Sequence, residues 1–390
     1  MSVAADVVVV GAGVVGAACA LAAARAGLAV TVVDRGPVAG GTTGAGEGNL
    51  LVSDKPPGPE LDLALLSLRQ WRDVAAHVTG ATGRPAGGFE LEPKGGLVVA
   101  ESPAALPALA ALAERQQAAG VEATQVPADR LHDHERHLAD GLAGGVLYPQ
   151  DSQVQPMLAA ARMLAAARAL GAQVRTGVEV TGMLRAGERV TGVRTTHGDL
   201  PAGAVVNAAG TWGGRIAELA GVLVPVLPRR GVILVTGPAP LLIRHKVYAA
   251  EYVADVASDN ADLESSAVVE GTPAGTILVG ASRERVGFDP AMPVHVVRRL
   301  AAQAVRLFPV LADVPLLRTY RGFRPYCPDH LPVIGADLRA PGLFHACGHE
   351  GAGIGLAAGT GHLLAQVLTG TQPDLDLAPF RPQRFVEAAA

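Results

Sequence analysis

The feature that most constrains this chain lies at its start. A β-branched run, Asp6 to Val10, leads into Gly11-Ala12-Gly13-Val14-Val15-Gly16 and then into an Ala/Leu-rich stretch that reaches Arg25 before Gly27. The valines predict a strand, the close glycines a tight turn, and the Ala/Leu stretch a helix stopped by a glycine. A second apolar run, Ala29 to Val33, closes on Asp34, about 20 residues beyond the glycines, where a dinucleotide-binding βαβ unit carries an acid for ribose hydroxyls. Gly11 permits the turn, Gly13 brings backbone against a pyrophosphate, and Gly16 lets the helix approach the strand. Val14 and Val15 open the helix, whose first N–H groups meet the anion. Arg35 is expected beside the adenine. An acid at position 34 would repel a 2′-phosphate, so NADP is not expected.

The same region raises the question of a membrane, because Val7 to Ala24 is apolar or glycine throughout. The glycines divide it into strand, turn and helix, and no Lys or Arg precedes it, as a secretory signal would require. We therefore expect no transmembrane segment and a cytoplasmic protein. The 390 residues are 49% apolar and 17% charged, a globular composition with room for two domains. Lys and Arg number 32 against 36 Asp and Glu, for a net charge of -4. That balance lacks the basic surplus that nucleic acid binding needs. Cys19, Cys327 and Cys347 are the three cysteines. Without a CxxC or zinc-type spacing they argue against a disulfide scaffold, a metal site or a cysteine-bound Fe–S cluster in this chain.

Three later segments favour a longer cofactor than NAD. Gly40 to Asn49 is a glycine and hydroxyl loop, and Gly41, Thr42, Thr43, Gly46, Gly48 and Asn49 are its candidate contacts. Gly203 to Val206 rises as a strand into Asn207-Ala208-Ala209-Gly210-Thr211-Trp212, small residues where backbone must lie against a ligand; Ala208, Gly210, Trp212 and the earlier Val178 join the set. Leu343 to Ala346 reads as a strand, Gly348-His349-Glu350-Gly351-Ala352-Gly353 as a turn, and Ile354 to Thr369 as a helix. This places a second helix start at the ligand.

Together these residues resemble the FAD-dependent D-amino acid oxidase family, in the branch of glycine oxidase, sarcosine oxidase and the flavin subunits of proline, hydroxyproline and opine dehydrogenases. The anchors are GAGVVG with Asp34, Gly41 to Thr43, VVNAAGTW at Val205 to Trp212, GFRPYCPDHLPVIG at Gly322 to Gly335, and CGHEGAGIGLAAGTG at Cys347 to Gly361. The loop from Glu47 to Lys55 looks more like the dehydrogenase-subunit branch than glycine oxidase itself. The resemblance implies an α/β (α+β) fold. A Rossmann-like FAD-binding domain (1–85, 151–225, 328–390) would be interleaved with an antiparallel-sheet substrate domain (86–150, 226–327) carrying helices on one side. Local patterns agree: Gly95 to Ala100, Gly231 to Thr236, Ser266 to Glu270 and Thr276 to Gly280 read as strands, Pro107 to Ala119 and Val296 to Phe308 as helices.

The implied reaction is oxidation of a small amino acid or secondary amine by hydride transfer from its α-carbon to flavin N5, giving an imine. Candidate substrates are a D-amino acid, glycine or sarcosine, proline or hydroxyproline, and an opine. Arg324 matches the family's substrate arginine, a planar guanidinium suited to a carboxylate. Tyr248 and Tyr252 stand in the segment that presents an aromatic lid, and Glu47 or Glu350 could receive the substrate ammonium. Backbone at Gly351, Ala352, Gly353 and Ile354 is expected near flavin N1 and O2, with His349 structuring the loop. Glycine oxidase carries an arginine where this chain has Gly351, which leaves room for a larger substrate. Sarcosine oxidase relatives attach FAD through a cysteine that aligns with Gly322 here, so FAD is expected to be non-covalent. Oxygen or a partner electron-transfer subunit could take the electrons, and a homo-oligomer is compatible. Two other classes carry the same fingerprint: a nicotinamide-dependent dehydrogenase, and a non-catalytic flavin-binding protein with an assembly or regulatory role.

Overall fold

The computed structural model describes residues 5–83, 88–250 and 262–387. Its first part runs β1 (Ala5–Val10), α1 (Val14–Arg25), β2 (Val30–Asp34), β3 (Asn49–Leu50), α2 (Pro59–Thr82), β4 (Gly96–Ala100), α3 (Leu106–Ala118), β5 (Thr124–Pro127) and α4 (Leu131–His134). It continues through β6 (Gly144–Tyr148), β7 (Ser152–Gln153), α5 (Pro156–Ala169), β8 (Gln173–Thr176), β9 (Val180–Ala186), β10 (Arg189–Thr195), β11 (Gly198–Asn207), α6 (Gly213–Leu219) and β12 (Leu227–Thr236). The last part holds β13 (Lys246–Ala249), β14 (Glu264–Gly271), β15 (Ile277–Arg283), α7 (Val294–Leu307), β16 (Leu316–Tyr326), β17 (Val333–Ala336), β18 (Leu343–Cys347), α8 (Gly353–Leu368) and α9 (Arg384–Glu387).

One sheet has the order β17-β18-β11-β1-β2-β8, with β9 and β10 folded back on β11. Its strands from β18 to β8 are parallel. Val7 to Val10 is buried on both faces, as an inner parallel strand must be, so the pattern is a continuous apolar run and not an alternation. Val7 and Val9 pack under α1, α2, α5 and α8; Val8 and Val10 pack against β9, β10 and α6. Gly361 lets α8 lie directly on α1, because a Cβ there would sit 2.6 Å from the carbonyl of Ala18.

The other sheet has the order β16-β12-β15-β14-β13-β4-β6-β5. It is antiparallel except for the β13–β4 pair, which is parallel. The expectation of helices on one side needs correction. Leu97 and Val99 of β4 pack with Val296, Leu300 and Ala304 of α7, whereas Val98 and Ala100 pack with Leu109 and Ala113 of α3. Alternate β4 side chains leave by opposite faces, and each face found its own helix. Among the described residues, no helix is long and apolar enough to cross a membrane.

The two sheets are fastened where the glycine-hydroxyl loop meets the edge strand β16. Thr42 and Thr211 both donate their hydroxyls to the carbonyl of Phe323, each at 2.7 Å. This seam sets the site.

Candidate active site

A single cavity runs from the turn after β1 to the middle of β16, and most of the expected cofactor residues line it. Gly11 takes φ 116°, and a Cβ there would lie 2.3 Å from the carbonyl oxygen of Ala208. Gly16 is equally constrained, 2.0 Å from the Gly11 carbonyl, but it serves helix–strand packing and does not face the cavity. Gly13 does face it, with only the Thr43 hydroxyl near its missing Cβ, at 3.1 Å. Of the N–H groups that a helix start leaves without an internal acceptor, that of Val14 is taken by Thr43 Oγ1 at 3.0 Å. Gly13 and Val15 remain at the wall.

Asp34 both lines the cavity and ties the turn, accepting 2.7 Å bonds from the N–H groups of Ala12 and Gly36 on its two oxygens. Each carboxylate oxygen keeps a lone pair for a ribose hydroxyl. Arg35 is at the wall as well, with its guanidinium stacked 4.3 Å over the Trp212 ring.

Gly41, Thr42, Thr43, Gly46 and Asn49 line the next stretch, joined by Val178, Ala208, Gly210 and Trp212. Gly48 does not. A Cβ there would fall 1.8 Å from the carbonyl of Val154, so this glycine seats the loop on the chain beyond β7. In the C-terminal turn His349, Gly351, Gly353 and Ile354 reach the cavity, while two neighbours are structural. Gly348 has φ 74° and backs onto Cys327 Sγ. Ala352 caps α8 and spends its N–H on the carbonyl of His349 at 3.0 Å. His349 is buried, bonded through Nε2 to the Thr360 hydroxyl at 3.0 Å, and pushed down to about 3 by burial. It is a neutral loop-structuring group.

These features fit an extended flavin dinucleotide: two helix starts, α1 and α8, open on one cavity, joined by a loop whose glycines leave space beside it. All three cysteines are buried and none lines the cavity. Burial pushes the thiols of Cys19 and Cys347 up to about 12. At position 322 a Cβ would sit 2.5 Å from that of Ala45. This fits a non-covalent cofactor.

At the far end stands Arg324, donating to the carbonyl of Ser282 at 2.7 Å. Gly231 of β12 clears the space beneath it, since a Cβ there would be 2.1 Å from Arg324 Nη1. A Cβ at Gly351 would come within 3.5 Å of Arg324 Nε. Glu47 is 6% exposed and at the wall, with its Oε2 taking a 3.3 Å bond from Asn49. Burial raises its pKa and the Lys246 charge opposes that.

Two expectations for this end are corrected. Glu350 lines the cavity, but Arg229 Nη1 holds one oxygen at 2.6 Å and His330 Nδ1 the other at 2.9 Å. Burial alone would push this acid up; the His330 bond and the Arg229 charge outweigh it, and the pKa falls below its usual value. The carboxylate fixes the turn and is not open to an ammonium. Tyr248 is fully buried and shares a 2.5 Å hydrogen bond with Ser53. It sits on β13, between β4 and β14, and packs into the core. Tyr252 lies outside the described residues. The wall also holds Gly231, Gly322, Phe323, Arg215 and Glu179, which the sequence reading did not assign. The signal for Gly231 was present: a glycine inside an apolar strand marks a close approach.

The chain matches the family model described as FAD dependent oxidoreductase, DAO, over residues 6–367. It is 29% identical over 378 residues to glycine oxidase of Pseudomonas aeruginosa, covering 96% of this chain and 98% of that protein. It is 30% identical over 396 residues to the bifunctional protein ThiO/ThiG of Trichormus variabilis, covering 99% of this chain and 56% of that one. To hydrogen cyanide synthase subunit HcnC of Pseudomonas aeruginosa it is 34% identical over 260 residues, 66% of this chain and 58% of that subunit. The chain thus spans less than three fifths of the last two relatives. Among solved structures, glycine oxidase from Geobacillus kaustophilus superposes with a TM-score of 0.87 at 27% identity, over 97% of this chain and 98% of that one. L-proline dehydrogenase from P. horikoshii shares the fold, with a TM-score of 0.89 at 22% identity, over 100% and 99% of the two chains. The nicotinamide alternative is set aside. A family match over nearly the whole length, laid on a cavity with two helix starts and a glycine-lined loop, makes this chain a member of the FAD-dependent oxidoreductase family DAO, with FAD as its cofactor.

Proposed function

We propose that this chain oxidises a small amino acid or secondary amine whose carboxylate is held by Arg324. The sheet built on β1 would carry FAD, and the sheet ending in β16 the substrate. The observation that carries the reading is the guanidinium at the cavity wall, over a floor that Gly231 leaves clear and with no bulk at Gly351. A guanidinium meets a carboxylate through two parallel bonds, which would hold the α-carbon in one orientation. FAD, when bound, supplies the hydride acceptor. The free N–H groups at the start of α8, at Gly353 and Ile354, favour negative charge developing beside them. The glycine oxidase relatives support an amino acid substrate; glycine or sarcosine, a D-amino acid, proline or hydroxyproline, and an opine are the candidates. We place the enzyme in the cytoplasm, and oxygen or a partner subunit takes the electrons.

The test is a visible spectrum of the purified yellow protein, followed anaerobically through additions of those candidates. Bleaching by one of them supports the reading and gives the substrate class, and admitting air then separates oxidase from dehydrogenase. A flavin that none of them bleaches, with or without an artificial acceptor, overturns it in favour of a non-catalytic flavin protein.

A further inference from the structure

Behind Arg324 lies a buried charge cluster that the proposed oxidation has not yet used. Lys246, 1% exposed at its side chain, is hydrogen bonded to Glu270, and its Nζ is 3.8 Å from Glu47 Oε1. Glu270 is also buried, and it accepts the N–H of Gly48 at 3.2 Å. Lys94, the next ammonium, is engaged by Glu92 at 3.6 Å and by Gln153 at 3.0 Å. Around Lys246, two carboxylates therefore share one cation.

Glu47 Oε1 is a buried oxygen without a hydrogen bond among the described residues, and Glu47 is the member of the cluster that reaches the cavity. A buried acid in that state calls for a donor or a positive charge. Gly280 of β15 allows the strand to lie close against this oxygen: a Cβ there would be 2.9 Å from Glu47 Oε1, as a Cβ at Gly231 would strike Arg324. Two neighbouring strands thus carry glycines, one beneath Arg324 and one beneath Glu47.

We propose that Glu47 is the counter-ion of the substrate ammonium, so that the chain takes an α-amino acid as its zwitterion, carboxylate on Arg324 and ammonium on Glu47. This rests on the reading of Arg324 given above. Lys246 and Glu270 are positioning residues: Lys246 stands 3.8 Å from Glu47 Oε1, and because it is also bonded to Glu270 its single charge does not neutralise both acids, which leaves negative charge at the cavity wall on Glu47. Glu350, the other acid at this end, already has its charge paired with Arg229 and bonded to His330.

The experiment uses the FAD-loaded protein and two matched pairs of unreactive ligands. One pair is α-aminoisobutyrate and isobutyrate, the other cycloleucine and cyclopentanecarboxylate. Each zwitterion lacks the α-hydrogen, and each partner lacks the ammonium. Affinities are read from the flavin spectrum and by titration calorimetry. Each zwitterion is expected to bind about tenfold or more tightly than its partner. Glu47→Gln should abolish that ratio while leaving the affinity for the bare carboxylate in place, and Glu47→Asp should restore part of it. A ratio that survives Glu47→Gln, or equal losses for both members of a pair, overturns the proposal. If Glu47→Gln does not fold, Glu47→Asp alone must lower the ratio, and an unchanged ratio is equally fatal. Failure of the Arg324 reading has a separate signature: Arg324→Ala would leave the bare carboxylates bound as before.

Discussion

At the α1 end of the cavity Gly11, Gly13, Gly41 and the first turn of α1 bring backbone to the wall, beside the side chains of Asp34 and Arg35. At the far end it is charged side chains, Arg324, Glu47 and Glu350, several of whose partners come from distant strands. The difference shows most clearly in two arginines that face each other in register, Arg229 on β12 and Arg324 on β16. Arg229 is 1% exposed and enclosed by Glu264 and Glu350. Arg324, one strand away, reaches the cavity. Backbone recognition depends on glycine spacing within a few residues, whereas side-chain recognition depends on which strand lies opposite which. The first is robust to sequence change elsewhere in the chain, and the second is not.

The comparison can be broken at either end, and the largest effect is expected where backbone meets backbone. Gly16→Val forces a side chain onto the Gly11 carbonyl, 2.0 Å from its Cβ position, and should cost about 3 kcal/mol or more. Denaturant unfolding and the flavin content of the purified protein report it; a variant as stable and as yellow as the parent would show that the turn tolerates bulk. Arg324→Ala should leave FAD bound but lower kcat/KM by about 1.5–3 kcal/mol through loss of a charge-assisted contact. Unchanged steady-state kinetics would remove Arg324 from the substrate.

Gly351→Arg sharpens the contrast by placing a second guanidinium beside the first, at a position whose Cβ would be 3.5 Å from Arg324 Nε. We expect the smallest substrates to be retained and bulkier ones to lose about tenfold in kcat/KM. An unchanged substrate range would mean that the turn does not border the side-chain pocket.

At neutral pH the smallest effect concerns His349, held neutral by burial with its pKa lowered from 6.5 to about 3. Above pH 6.5 neither the folded nor the unfolded imidazole is charged, and the group adds no pH dependence. Between about pH 6.5 and 3 the unfolded chain binds a proton that the folded chain does not, so stability falls as the pH drops. The slope is below about 1.4 kcal/mol per pH unit. His349→Gln should flatten that limb in unfolding curves taken at several pH values; an identical limb would mean that His349 protonates in place.

The residues that could be read in advance share one property. GAGVVG, the loop at Gly40 to Asn49 and the turn before α8 act through main-chain geometry, and their spacing is local. The residues misjudged are those whose role was settled by a neighbour far along the chain. Glu350 was open until Arg229 and His330 closed on it, and Tyr248 reached Ser53 and not the cavity. Gly48 and Gly348 looked like cofactor glycines because a glycine required by Val154 or Cys327 reads the same as one required by a ligand. Lys246 gave no signal at all, since one lysine in an apolar strand is uninformative until the acids around it are known.

By itself, then, the sequence determined the dinucleotide fingerprint, the alternation of strands and helices, and the family pattern, because each is carried by hydrogen-bonding geometry and apolar period within a short window. Only the tertiary structure decided which acid at the cavity is paired with an arginine and which keeps an oxygen without a hydrogen bond, and which of two opposed arginines reaches the cavity. Those outcomes depend on burial and on charges brought together across the two sheets, where the cost of leaving a buried charge uncompensated selects the partners.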